Sequence, residues 1–262
     1  MKRAYADVPE GQIHYRTEGS GEPLLLIHMI GCSSGQYAKM IPFLSKTYRT
    51  IAPDLPGSGQ SYKPLCDYLI PDYARSVASF MDSLGIEKAS IVGHHAGAQV
   101  GVELAATWPE RVDKLVLSSC PHWPNEEERV LFSKDPVYRQ LEPDPDGWHL
   151  IEWWRRARRY GDPIEIVAER ALDFHMNGVK GEFHWASYAY GPKEREVLPL
   201  IKCPTLVVSG TRDRFCPVVE DIKKLIPRSR ITIVEGAGVY IDRVMPKESA
   251  ETILAFLKNP GV

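Results

Sequence analysis

Short apolar runs, separated by amphipathic stretches, organise most of this chain. Residues 11–17 alternate in polarity, as a half-exposed strand does, and the later runs are continuously apolar, as in strands buried on both faces. Strands that alternate with helices predict an α/β fold, with a mainly parallel sheet of about eight strands flanked by helices. The strand candidates are 11–17, 24–28, 48–53, 89–93, 112–118, 205–210 and 231–235, and the helix candidates between them are 73–84, 98–108 and 217–225. A last helix is predicted to begin at Pro246.

One region breaks this alternation. Residues 121–196 contain no good strand candidate, but they carry several tryptophans, many charges and helical patterning at 148–155 and 164–174. We therefore predict a core formed by residues 1–120 and 197–262, with a helical cap at 121–196 inserted into it.

Composition narrows the possible partners. With 262 residues and 44% hydrophobic content the chain is long enough for a sizeable core, and its formal net charge of -2 is too small to gather nucleic acid or an anionic membrane. No apolar run has the length of a membrane span. Five scattered cysteines without a C-x-x-C pair indicate reduced thiols. We expect a cytoplasmic protein, a monomer or homodimer, that takes a small molecule and has no nucleic-acid or membrane partner.

The segment 91–97, which reads Ile-Val-Gly-His-His-Ala-Gly, has the layout of a nucleophile elbow. In that turn a buried strand passes sharply into a helix and presents one side chain at the top of the sheet. Gly93 and Gly97 suit the crowded backbone of such a turn. The side chain at its centre is His95, an imidazole that can act as a base, an acid or a weak nucleophile.

Five motifs in order along the chain together resemble the α/β-hydrolase superfamily, and its lid-bearing esterases, lactonases, epoxide hydrolases and carbon–carbon bond hydrolases most of all. Besides the elbow, the strand 25–28 is similar to the one that leads into the oxyanion loop. Residues 52–61 match the family's Asp-x-x-Gly-x-Gly-x-Ser turn. Residues 204–217 resemble the strand and turn that carry the triad acid, and residues 235–239, followed by Pro246, match the turn that carries the triad histidine.

The departures from the family pattern fall where its chemistry lies. His95 stands at the nucleophile position, Val239 at the triad-histidine position, and Met29 where a glycine usually follows His28. Asp213 alone is retained. A Ser-His-Asp mechanism needs a hydroxyl, a base within reach of it and an acid that orients the base. The sequence therefore argues against ordinary serine-hydrolase activity.

The resemblance implies a set of residues around the site. The backbone N–H of Ala96 is expected to remain available to an oxyanion. The pocket beside His95 and Asp213 is expected to be lined by His28, Met29, Cys32, Ala96, Val239 and Tyr240, and from the cap side by Trp154, His184 and Trp185. His28, His94 and Asp54 are expected to be structural, and no ligand-spaced pair of residues indicates a metal.

These features favour an enzyme that uses no cofactor and acts on a small, largely apolar carbonyl, ester or lactone. His95, oriented by Asp213, would be its acid–base group, and hydrolysis, lyase, decarboxylation and cyclisation chemistry are all compatible. Asp213 also has other candidate partners, namely Arg212, Arg214 and the N–H groups of its own loop. If these hold it, the alternative is a catalytically inactive ligand-binding protein, as the plant gibberellin receptors of this fold are.

Overall fold

A computed structural model of the protein describes residues 1–29, 31–134, 141–158, 162–176 and 182–261. Within them an eight-stranded sheet has the order β1-β2-β4-β3-β5-β6-β7-β8. The strands are β1 (Lys2–Val8), β2 (Gly11–Glu18), β3 (Pro23–Ile27), β4 (Arg49–Pro53), β5 (Ala89–His94), β6 (Val112–Ser118), β7 (Thr205–Gly210) and β8 (Ser229–Val234).

Only the first strands of the sheet run antiparallel. β1 pairs with β2 and β2 with β4 in antiparallel register, whereas the pairs from β3 to β8 are parallel. The predicted sheet is thus confirmed. β1 was not among the strand candidates, because this edge strand exposes most of its side chains and buries only Ala6.

Helices cover both faces of the sheet, as predicted. Their bounds are α1 (Ile41–Leu44), α2 (Ile70–Ser83), α3 (Ala96–Thr107), α4 (Glu126–Ser133), α5 (Trp148–Arg158), α6 (Ile164–Met176), α7 (Glu182–Val197), α8 (Val219–Leu225), α9 (Ile241–Val244) and α10 (Pro246–Lys258). The last of these begins at the predicted proline.

The central strands bury side chains in two separate apolar layers. Along β3, Leu25 and Ile27 pack with the cluster that contains residues of α2 and α3, whereas Leu24 and Leu26 pack with the cluster that contains residues of α1 and α10. Alternate side chains of a strand point to opposite faces. Because both faces of the strand are buried, its sequence reads as continuously apolar. The packing on both faces fixes the carboxyl ends of the parallel strands β3, β5, β6 and β7 at one rigid edge of the sheet.

Helices α4 to α7 lie between β6 and β7 in the chain, where the helical insertion was predicted. Helix α6 is attached to the core by charged contacts. Asp173 accepts a hydrogen bond from Ser33 at 2.6 Å and pairs with the buried Arg243 at 2.6 Å, and Glu169 pairs with Lys39 at 2.8 Å. That these helices act as a cap over the site stays a prediction. Among the described helices, none is both long and apolar enough to span a membrane.

Candidate active site at the strand-to-helix elbow

The elbow holds His95 in a strained backbone conformation. Its φ of 54° and ψ of -123° are rare for a residue with a side chain. The N–H of His95 donates to the carbonyl of Ser118 at 2.9 Å, which ties the turn to β6. The glycines on either side are required, since a Cβ at Gly93 would collide with the carbonyl of Gly97, and one at Gly97 with the carbonyl of Ile27. The sharp turn predicted from the sequence is therefore present.

The imidazole of His95 lies almost buried beside an aromatic ring. The residue is 6% exposed, and its ring meets that of Phe215 edge-on, with the centroids 5.4 Å apart. The ring of Phe215 in turn meets that of Trp123 at a centroid distance of 6.4 Å. An imidazole among aromatic side chains is shielded from bulk water, so charges near it act more strongly than they would at the surface.

Asp213 is held by the turn that follows β7. Its carboxylate accepts a hydrogen bond from the hydroxyl of Ser209 at 3.1 Å and another from the N–H of Phe215 at 3.0 Å. These donors belong to its own strand and loop, one of the arrangements considered above. Because a carboxylate offers about four acceptor positions, two bonds leave room for a further donor. Phe215 thus contacts His95 through its ring and Asp213 through its backbone.

His28 is structural. It is fully buried, its Nε2 accepts a hydrogen bond from the N–H of Leu55 at 2.9 Å, and Nδ1–H consequently donates to the carbonyl of Met29 at 2.9 Å. Burial lowers the pKa of His28, which keeps the ring neutral in this tautomer. The side chain fixes the loop after β3, as expected.

The loop after β3 uses the N–H of Met29 internally. That N–H donates to the side-chain oxygen of Gln36 at 3.0 Å, so it is directed at a side chain of the protein. Ala96 is the first residue of α3, where backbone N–H groups have no partner inside the helix. Of the backbone N–H groups of Met29 and Ala96, that of Ala96 is the one that fits an oxyanion donor.

Four of the predicted pocket residues come together. Met29, Cys32 and Tyr240 form one buried cluster with Ile166 of α6, and Val239 packs against it. Burial raises the pKa of the Cys32 thiol to about 12, so the thiol is protonated at neutral pH and unsuited to act as a nucleophile. The cluster provides an apolar wall beside the elbow.

The predicted cap contacts are placed differently. Trp154 packs against a second cluster, formed by Trp153, Ala157 and Val167. Trp185 is 61% exposed and stacks on Tyr188 at a centroid distance of 5.7 Å. The side chain of His184 lies outside the described part of the chain. Neither tryptophan is part of the apolar cluster beside the elbow.

The two other residues expected to be structural agree with that expectation. Asp54 Oδ2 accepts a hydrogen bond from the N–H of Gln60 at 2.9 Å and lies 2.8 Å from His14 Nδ1, and Asp54 Oδ1 accepts from the N–H of Ser34 at 2.6 Å. His94 is buried, with Nδ1 at 3.0 Å from the hydroxyl of Ser118.

Sequence reasoning missed several residues that shape the site. Phe215 and Ser209 hold Asp213, and Gln36 occupies the amide of Met29. Phe215 stands two residues after the retained acid, a position from which an amide often bonds back to an aspartate, so it was open to prediction. Ser209 and Gln36 gave no such signal. In the described part of the chain, no three His, Cys, Asp or Glu side chains are grouped as metal ligands would be.

Comparison with known proteins agrees with this architecture. The α/β-hydrolase fold family matches residues 22–147. An uncharacterized protein of Mycobacterium tuberculosis is 41% identical over 105 residues, which are 40% of this chain and 31% of that protein. The chain thus matches under a third of the length of that relative. The 2-hydroxy-6-oxo-6-phenylhexa-2,4-dienoate hydrolase of Comamonas testosteroni is 28% identical over 280 residues, covering 97% of this chain and 93% of the relative.

Solved structures share the whole fold. A membrane phospholipase A, described as a bacterial virulence factor, superposes with a TM-score of 0.83 at 24% identity, over 99% of this chain and 86% of that one. At this identity the likeness concerns the fold alone. Taken with the elbow, the strand order and the matched family segment, it shows that the chain has the α/β-hydrolase fold.

Proposed function

We propose that this protein is an α/β-hydrolase-fold enzyme in which His95, oriented by Asp213, performs acid–base chemistry on a small, largely apolar carbonyl, ester or lactone compound. The observation that carries the proposal is the position of His95. The chain has the strained elbow, with φ at 54°, and places a histidine at its centre. Strain of this kind persists where the surrounding structure enforces it, and it is concentrated at functional sites.

The acid–base role follows from what surrounds the imidazole. Phe215 packs on the His95 ring and also donates its N–H to Asp213, so one residue fixes both members of the pair. A carboxylate next to an imidazole selects its tautomer and stabilises its protonated form. In the proposed hydrolysis, His95 takes a proton from water as the water oxygen attacks the carbonyl carbon. The protonated ring then returns that proton to the leaving group, and the N–H of Ala96 stabilises the intermediate oxyanion.

The proposed substrate class rests on the wall beside the elbow. Met29, Cys32, Val239, Tyr240 and Ile166 are apolar or weakly polar and pack together. Such a wall favours a compound with an apolar body and few polar groups. The relative from Comamonas testosteroni is named for a compound that contains a phenyl group and an oxo group together with a hydroxyl and a carboxylate, so it shares the carbonyl and the apolar body of the proposed class.

One observation favours the alternative function, a ligand-binding protein without turnover. Ser209 and Phe215 already give the carboxylate of Asp213 two hydrogen bonds. A carboxylate held in this way does not need His95 in order to remain buried. In this alternative the same pocket binds the ligand, and His95 contributes only shape and a hydrogen bond.

Incubation with a metabolite mixture, followed by mass spectrometry, separates the two functions. We would compare wild type with His95→Ala and with His149→Ala, whose histidine lies in the first turn of α5 and accepts a hydrogen bond from the N–H of Asp144. The enzyme should consume a compound, His95→Ala should slow this by about 100-fold or more, and His149→Ala should match wild type. A compound that is retained and never converted would exclude the enzyme and support the ligand-binding protein.

A further inference from the structure

A second histidine–aspartate pair lies directly behind the elbow. His94 precedes His95 at the end of β5, and Asp242 is in helix α9. Both side chains are buried, and His94 Nε2 stands 3.9 Å from an oxygen of Asp242. Among the described residues, neither this nitrogen nor either oxygen of Asp242 has a hydrogen-bond partner.

We propose that His94 and Asp242 bind one internal water between them, and that this bridge, continued by Ser118, fixes the turn that carries His95. The water site and the positioning role do not depend on whether His95 is catalytic. Asp242 is thus a positioning residue that acts through His94.

The separation of the two groups calls for a bridging molecule. A gap of 3.9 Å between His94 Nε2 and Asp242 exceeds the range of a direct hydrogen bond. Buried polar atoms in native proteins are satisfied by protein or by ordered water, and a buried carboxylate is especially costly to leave without a donor. A water needs two to four polar partners, and this site offers the nitrogen and both carboxylate oxygens.

Some of the polar groups near Asp242 are engaged elsewhere, whereas Arg243 Nε has no hydrogen-bond partner among the described residues. The Arg243 guanidinium is directed through its Nη atoms to Asp173, Glu169 and the sulfur of Cys32. The hydroxyl of Tyr37 donates to the carbonyl of Ile27 at 2.8 Å. Burial raises the pKa of this tyrosine, and the charge of Asp242 raises it further. The Nη atoms of Arg243 and the hydroxyl of Tyr37 are thus used in other hydrogen bonds, which favours a water as the donor to Asp242.

Ser118 connects this pair to the elbow. Its hydroxyl lies 3.0 Å from His94 Nδ1, and its carbonyl accepts the N–H of His95 at 2.9 Å. A carboxylate only accepts, so the water donates to Asp242; in the proposed direction Ser118 donates to Nδ1 and Nε2–H donates to the water. This chain of hydrogen bonds ends on the backbone of His95, the residue with the strained φ. In this way the buried Asp242 acts on the position of His95.

A high-resolution crystal structure of the wild-type protein tests the water directly. We expect a water within hydrogen-bond distance of both His94 Nε2 and Asp242. A direct His94–Asp242 bond, or an empty gap, would overturn the proposal. This measurement does not depend on any variant being able to fold.

Nuclear magnetic resonance of ¹⁵N-labelled histidine side chains tests the positioning role. The wild-type spectrum should show a proton on His94 Nε2, and Asp242→Asn and Ser118→Ala should each move the ring resonances of His94 and of His95. Asp221→Asn, at an exposed pair with Lys224, should move neither. A change confined to His94 would reveal a merely local structural role and refute the positioning of His95, as would a His94 Nε2 without a proton.

Discussion

The hydroxyl of Ser209 donates to the carboxylate of Asp213 at 3.1 Å, so the retained acid of the site is anchored by the strand that precedes it. Ser209→Ala should therefore destabilise the protein by about 1–2 kcal/mol, because a buried acceptor loses a donor. Ser83→Ala, at the exposed end of α2, serves as the control and should stay within about 0.5 kcal/mol of wild type. Urea unfolding followed by circular dichroism measures both, and equal effects would show that the bond to Asp213 contributes little.

The backbone of His95 gives a second prediction, which separates strain from side-chain packing. His95→Ala and His95→Gly both remove the imidazole, but only glycine adopts a φ of 54° without steric cost. His95→Gly should therefore be more stable than His95→Ala by about 1 kcal/mol. Thermal unfolding of the two variants measures the difference. A glycine variant that is no more stable than the alanine variant would show that the elbow is relaxed.

Much of this backbone was predictable from the sequence, because turns and buried strands have local signatures. Gly93 and Gly97 flank the elbow, and the continuous apolar run 24–28 marks a strand buried on both faces. Each signal depends only on neighbouring residues and on the period of burial. The sheet and the location of His95 therefore followed from the sequence.

Most hydrogen bonds of the site did not follow from the sequence, because they depend on how segments pack against one another. The bond from Met29 to Gln36 is set by how a 3-10 turn packs, and the pair of Asp173 with Arg243 joins residues 70 positions apart. Lys2–Val8 was missed for a different reason. An edge strand with exposed charged residues lacks the apolar period on which strand prediction depends.

The glycine at position 97 allows the closest approach of backbone segments at the elbow. A Cβ there would collide with the carbonyls of Ile27 and His28, both of which are main-chain atoms that cannot move aside. We expect Gly97→Ala to cost more than about 3 kcal/mol or to prevent folding, the range of severe overpacking. Gly238→Ala is the matched control, since a Cβ at that position meets nothing within 4 Å. Soluble yield and thermal unfolding should separate the two variants clearly.

Asp54 gives a prediction about acid stability. Burial raises the pKa of this carboxyl, but hydrogen bonds from Ser34 and Gln60 outweigh that effect and hold the pKa below its usual value. The stabilisation is therefore fully present above the unfolded pKa of about 4 and is lost as the pH falls through the folded value. Asp54→Asn should cost about 2–3 kcal/mol at pH 7.

The pH dependence of the free energy of unfolding distinguishes a loss of the charge of Asp54 from a change in the shape of the side chain. The stability difference between wild type and Asp54→Asn should begin to shrink as the pH falls below about 4, because the Asp54 carboxyl of the unfolded wild-type chain is then protonated before that of the folded protein. Urea unfolding at several pH values between 3 and 7 measures it. A difference that stays constant over this range would mean that the charge of Asp54 is not the cause.

The last prediction concerns the attachment of α6, the helix that contributes Ile166 to the wall beside the elbow. Asp173 receives a hydrogen bond from Ser33 and pairs with the guanidinium of Arg243, whose side chain is only 2% exposed. Asp173→Asn leaves a buried guanidinium without its closest carboxylate, and removing one partner of a buried pair costs about 3–5 kcal/mol. Because the lost contact joins α6 to the core, the lost stabilisation free energy should appear as faster opening of α6 away from the core.

Glu169 supplies the matched control on the same helix. Its carboxylate pairs with Lys39 and with Arg243, but its side chain is 41% exposed, where an ion pair contributes about 1 kcal/mol or less. Hydrogen exchange followed by mass spectrometry should show α6 amides exchanging much faster in Asp173→Asn than in Glu169→Gln, with strands β3 and β5 unchanged in both. Uniformly faster exchange across the sheet would mean instead that Asp173 supports the whole fold, and that α6 does not open on its own.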